Sequence, residues 1–147
     1  MQTRLPLQAR PLVFCLLIAC TDTFAQPADS DDWGRSKETA IEVCKPQGQR
    51  QYLARLVCPD RSHPAFERSG NVGPRHDFPA DVRPGEITKH TLAAIEHTPL
   101  AAGEVDHHTV DRYEVRCGEH VTTLYLDMYH CDAPAPREAP AGFSIAN

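Results

Sequence analysis

Four cysteines and three histidines are the residues most capable of chemistry in this chain. Cys44 and Cys58 are separated by the same interval as Cys117 and Cys131. Each pair encloses a Tyr-Leu at the same offset, Tyr52-Leu53 and Tyr125-Leu126. Thiols in this number do one of two things: ligate a soft metal or form disulfides. Neither pair has the short Cys-x-x-Cys spacing of a zinc finger, so disulfides are the expectation. The histidines fall in "DHH", residues 106–108, and in "YHC", residues 129–131. With Asp106, the side chains of His107 and His130 form a candidate divalent-metal or general-base cluster, set against the plainer reading of a solvated polar hairpin end. Asp127 interrupts the apolar run "LYLDMY"; a cross-strand pair with Arg112 is its simplest use.

The conventional catalytic patterns are missing. There is no His-Glu-x-x-His, no Gly-x-Ser-x-Gly and no dinucleotide fingerprint. The glycines of "SGNVGPR", residues 69–75, are not followed by Lys-Ser/Thr and do not make a phosphate loop. No catalytic residue is assigned and no cofactor is expected.

The N-terminus supplies the compartment. Arg4 and Arg10 precede the apolar run "LVFCLLIA", residues 12–19, which is followed by small and polar residues. That order resembles a bacterial export signal, and the run is shorter than the roughly 20 residues a bilayer span takes. "TFA" before Gln26 fits signal peptidase I, making residues 1–25 the leader. "LIAC", residues 17–20, resembles the lipobox of bacterial lipoproteins, and the alternative cut would leave a lipidated Cys20 as a membrane anchor. Both routes leave Cys44, Cys58, Cys117 and Cys131 in an oxidising setting, where four cysteines imply two disulfides. The expected location is periplasmic or secreted, or membrane-anchored if the lipobox is used.

Removing Arg4, Arg10 and Asp22 with the leader leaves 13 basic against 19 acidic side chains. A domain with this acidic balance is not a default binder of nucleic acid or anionic membranes. Residues 26–147 are enough for one core and too few for two. They divide into a polar lead-in (26–35), in which Trp33 is able to dock on the domain, a disulfide-stapled domain (36–132) and a Pro/Ala-rich tail (133–147) expected to be extended or disordered.

The elements that must position these residues follow from periodicity. Tyr52, Leu53, Leu56 and Val57 recur at helical spacing, predicting a helix over 48–57 that Pro59 stops. "TAIEVC" reads equally as a strand or a short helix. Residues 59–90 carry five prolines and read mostly as loop, with a short strand over "AFERSG" and an amphipathic helix over 86–97. "VDRYEVRC" and "VTTLYLDMYHC" predict a β-hairpin over 110–117 and 122–131. A four-residue loop, 118–121, would set Val115 against Leu124, Tyr113 against Leu126 and Arg112 against Asp127, avoiding the Asp111–Asp127 repulsion of a loop one residue shorter. The fold class is therefore α+β: a small single domain with a C-terminal hairpin packed on at least one helix.

Length then constrains the bridges. A strand of ten residues holds its ends about 30 Å apart, and a ten-residue helix about 15 Å, whereas a disulfide needs Cα atoms within about 7 Å. The bridges must join the helix stretch to the hairpin. Cys44–Cys117 with Cys58–Cys131, and Cys44–Cys131 with Cys58–Cys117, both satisfy this. The functional expectation is a non-enzymatic exported domain that binds a protein or an envelope component. The alternatives are a small envelope enzyme or metal binder using the His107/His130 end of the hairpin, and an inhibitor using the proline-rich 59–85 stretch as a loop.

Overall fold

The computed structural model describes residues 31–146, so the expected leader, its two alternative cleavage sites and Cys20 lie outside the described residues. The chain runs β1 (Ile41–Glu42), α1 (Lys45–Ala54), β2 (Leu56–Val57), β3 (Ala65–Pro74), α2 (Pro84–Ile95), β4 (Thr109–Cys117), β5 (His120–Asp127) and β6 (Ser144–Ile145). A four-stranded sheet has the order β1-β5-β4-β3, and β2 pairs with β6 in a separate two-stranded ribbon. The class is α+β. Among the described residues no helix is long and apolar enough to cross a membrane.

Alternation along β4 and β5 builds the core. Tyr113, Val115, Leu124 and Leu126 point to one face and are buried there against Tyr52, Leu53 and Leu56 of the α1–β2 stretch and Ile41 and Val43 around β1. Full burial of each such aliphatic side chain is worth about 1.5–3 kcal/mol, so these few residues hold most of the domain together. Trp33 docks on this cluster, edge-on to Tyr52.

The hairpin register differs from the expected one. The connection is two residues, Gly118-Glu119, not four, and Cys117 stands opposite His120. Gly118 has φ 57°, the positive value a II′-type connection requires at its first central position. The shift is two residues, an even number, so every side chain keeps its face while its partner changes. Tyr113 now opposes Leu124, Arg112 opposes Tyr125, and Asp127 opposes Val110. The Arg112–Asp127 pair does not form. β5 also ends at Asp127, not at residue 131, and the chain turns away over Met128–Cys131.

Other boundaries move for physical reasons. The first helix begins at Lys45, with proline in its first turn where a missing N–H costs nothing, and ends at Ala54. Leu56 and Val57 leave the helix because they are claimed by the strand pairing with Ile145 and Ser144. Residues 59–90 are not mainly loop. β3 runs ten residues along β4, longer than the "AFERSG" strand expected, and α2 starts at Pro84. The 59–85 stretch is thus no single inhibitor-type loop. Nor is the tail disordered. Pro140 is fully buried, Tyr52 donates its hydroxyl proton to the Glu138 carbonyl at 2.9 Å, and the Ala146 amide donates to the Arg55 carbonyl at 2.8 Å. Ala139, Phe143 and Ile145 cover the core from outside, which a composition of Pro and Ala did not advertise.

Two disulfides staple these layers. Cys44 bonds Cys131 with Cα atoms 4.5 Å apart, and Cys58 bonds Cys117 at 5.8 Å. Both cross from the α1 region to the hairpin, one at its open end and one beside its turn.

Candidate functional site

The open end of the hairpin gathers four side chains with ligand atoms: Asp106, His108, Asp127 and His130. Their positions follow from simple periodicities. Asp106 and His108 lie on the extended approach to β4, where alternate residues share a side. Asp127 ends β5 on the face away from the main core, and His130 returns beneath it three residues later. One atom from each of the four fits within 4.8 Å of all the others. His108 Nδ1 lies 3.2 Å from Asp106 Oδ1, 3.7 Å from Asp127 Oδ2 and 3.5 Å from His130 Nε2. His130 Nε2 lies 3.1 Å from Asp106 Oδ2 and 3.2 Å from Asp127 Oδ2.

Two further charges stand at the edge. β1 pairs in parallel with β5 and sets Glu42 beside Asp127. Glu42 Oε2 comes to 3.8 Å from His130 Nδ1, the ring nitrogen turned away from the cluster. Arg75 enters from the end of β3. Its guanidinium donates to Glu42 Oε1 at 2.6 Å and Asp106 Oδ2 at 3.2 Å, and stands 4.0 Å from Asp127 Oδ2. The "GNVGPR" glycines explain its placement: Gly70 and Gly73 take positive φ at two irregularities in the β3–β4 ladder, and the bulged strand ends by aiming Arg75 into the site.

Electrostatics keeps this buried group charged. Burial by itself would raise the Asp106 and Asp127 pKa values. Hydrogen bonds from His130 outweigh it at Asp106, with help from the His108 backbone N–H and the charge of Arg75, and hold that carboxyl well below the usual range. Bonds from His108, His130 and the Tyr129 N–H do the same for Asp127. Burial would lower the His130 pKa, yet its hydrogen bonds to Asp106 and Asp127 push it up to about 10. Without a metal, an imidazolium between two carboxylates balances the site.

Of the expected candidates, Asp106 and His130 meet here and His107 does not. Alternation turns His107 to the other side, where its Nδ1 is 2.6 Å from the His76 carbonyl oxygen and its ring stacks on Phe78 at 4.1 Å. His108 takes the place assigned to it. Period-two reading of "DHH" with Asp106 as one ligand would have selected His108. Asp127 joins the cluster instead of pairing with Arg112, and Arg75 and Glu42 gave no local signal.

Beside the core-facing side of the same strands, Asp111 is buried with Arg68 at 2.6 Å and Gln49 at 3.2 Å, and Gln49 accepts the Tyr113 hydroxyl proton at 2.9 Å. This network is fully partnered within the protein and has the character of structural support. No protein-family model matches the chain, and neither a curated protein nor a solved structure matches it.

Proposed function

We propose that this is an exported, disulfide-stapled domain that binds one divalent transition-metal ion of the zinc class through Asp106, His108, Asp127 and His130. The observation that carries the reading is the spacing of the ligand atoms. A tetrahedral ion with bonds of about 2.0–2.1 Å needs ligand atoms about 3.3–3.4 Å apart. His108 Nδ1, His130 Nε2 and Asp127 Oδ2 lie 3.2–3.7 Å from one another, and Asp106 places one carboxylate oxygen 3.2 Å from His108 and the other 3.1 Å from His130, so one ligand atom from each residue lies within 4.8 Å of the rest. Glu42 faces the outer nitrogen of His130 at 3.8 Å, close enough to attract an imidazolium but not to hydrogen-bond the ring.

The donor set narrows the ion. All four cysteines of the described residues are tied in disulfides, leaving imidazole and carboxylate donors. Such a set suits zinc, copper(II) or nickel(II) and not soft copper(I). Four ligands from the protein fill a tetrahedral ion, as in sites that hold a metal and unlike sites that keep a position open for substrate. Holding a metal, not hydrolysing a substrate, is the activity we assign. The disulfides indicate an oxidising setting, and the export signal makes the periplasm or the exterior the place where the ion is met, with Cys20 as a lipid anchor if the lipobox is used.

Elemental analysis and chelator competition on protein purified without a His tag test the reading. One zinc per chain is expected, with His108→Ala and His130→Ala each abolishing tight binding and His107→Ala leaving it intact. Absence of binding, or binding indifferent to all three substitutions, would refute it.

A second reading has its own observation. Leu92 and Ile95 on α2 and nearby Val105 in sequence are 53, 61 and 53 % exposed. Exposed large aliphatic residues on one helix favour contact with a protein or envelope partner. Photocrosslinking from position 92 in the cell envelope should capture one partner if it holds, and a ladder of unrelated adducts if it does not.

A further inference from the structure

The four ligands are not anchored alike. Asp127 terminates β5 and His108 adjoins β4, so ladder hydrogen bonds fix the backbone beside them. Asp106 is held through Arg75 and through the carbonyl that accepts from the His76 amide at 3.2 Å. His130 lies beyond the last rung. Its segment is tied back by the isolated bridge Cys44↔Tyr129, by the Lys45 amide donating to the Met128 carbonyl at 2.6 Å, and by the Cys44–Cys131 disulfide immediately after it. That disulfide joins the residue next to His130 to the strand end that carries Glu42, the group facing His130 Nδ1. One covalent bond therefore ties the segment of a ligand to the strand end whose carboxylate faces that ligand. Both of its cysteines are partly exposed, whereas in the other bridge Cys117 is partly exposed and Cys58 is buried.

We propose that the Cys44–Cys131 disulfide is a redox lock on the metal site, and that a dithiol reductant opening it releases the ion. The inference rests on the metal-binding reading above. A thiolate of the reductant attacks Sγ of Cys131 or Cys44, breaking the S–S bond and forming a mixed disulfide. The reductant's second thiol displaces the remaining cysteine. Two electrons and two protons pass from the dithiol to the protein, which ends with two cysteine thiols while the reductant ends as its disulfide. His130 is then held only by hydrogen bonds, and three firmly placed ligands remain. The Cys58–Cys117 bridge, beside the hairpin turn, touches none of the four.

The test compares zinc affinity, by chelator competition, in three forms of the purified protein. These are the oxidised protein, protein gently reduced and alkylated at Cys44 and Cys131 alone, and a Cys58→Ala/Cys117→Ala variant. Alkylation removes the freed thiolates as competing ligands, and peptide mapping shows which cysteines reacted. The expected result is a loss of about tenfold or more on opening Cys44–Cys131, a cost of the size that misplaced support imposes on metal sites, with near-UV circular dichroism retained. The double-alanine variant should bind like the oxidised protein. A Cys44→Ala/Cys131→Ala variant, produced without any reduction step, should reproduce the alkylated form. Equal affinity of oxidised and opened protein would overturn the lock and leave the metal reading standing. Failure of the oxidised protein to bind zinc would instead refute the reading beneath it. If the near-UV signal collapses together with affinity, the bridge is a global staple and the lock is overturned.

Discussion

The two ends of the hairpin are closed by the same covalent device and filled with opposite chemistry. Beside the turn, Cys58–Cys117 closes two residues beyond Leu56 and Val115, which belong to the apolar core. Everything there gains by leaving water. At the open end, Cys44–Cys131 closes beside His130 in the chain, where Asp106, His108, Asp127, His130 and Arg75 gather and Asp127 is fully buried. Taking such charges out of water costs several kcal/mol each, which their mutual attraction offsets only with good geometry. A fold selected for stability alone would not repeat the second arrangement where the first was available. The contrast separates a region whose burial stabilises the domain from one whose burial costs stability.

The largest effect should come from removing both staples. The bridged residues are 59 and 87 positions apart, and the chain-entropy model assigns such closures about 4–5 kcal/mol each. A domain of this size has about 5–15 kcal/mol in all. Full reduction should therefore abolish the cooperative thermal transition seen by calorimetry; a transition surviving at an unchanged midpoint would show that the apolar end suffices alone.

Single substitutions at the two ends sharpen the comparison. Asp127→Ala removes one of the two carboxylates that hold His130 and should cost about 3–5 kcal/mol in denaturant unfolding. Leu124→Ala in the apolar half should cost a similar 2–5 kcal/mol by leaving a cavity. Equal in stability, they should part company in zinc: free ion at a hundred times its dissociation constant should stabilise Leu124→Ala, like the parent, by about 2.7 kcal/mol and do nothing for Asp127→Ala. The same zinc increment in both variants would mean the ion binds elsewhere.

Smaller effects probe how the site is framed. Gly34 has φ 75°, and a Cβ there would meet Ile41 Cδ1 at 2.7 Å, so Gly34→Ala should cost about 1–3 kcal/mol through overpacking. Because Ile41 precedes Glu42 in β1, the substitution tests how far core strain reaches the site, read as a change in zinc affinity alongside stability. Smallest of all, Leu92→Ser on the exposed face of α2 should move stability by no more than about 0.5 kcal/mol. A larger loss would mean that this helix belongs to the fold's own core and not to a surface kept for a partner.

The sequence by itself determined the parts of this protein that rest on local periodicity and chain geometry. The hairpin's inward face was readable from the alternation of Tyr113 and Val115 with Leu124 and Leu126, and the register error left that face unchanged because it was even. Strand and helix lengths required the disulfides to cross. What tertiary structure alone decided was everything requiring distant segments to choose among equal partners. Cys44 took Cys131 because β1 runs parallel to β5 and so delivers Cys44 to the hairpin's open end. Residues 133–146 became ordered because Pro140, Phe143 and Ile145 found a core surface that their own composition did not reveal. Arg75 and Glu42 reached the site along a bulged strand and a two-residue strand. His107 and His108 are adjacent and identical in type; the pleat, fixed only once β4 was paired, turned one toward the ligands and the other away.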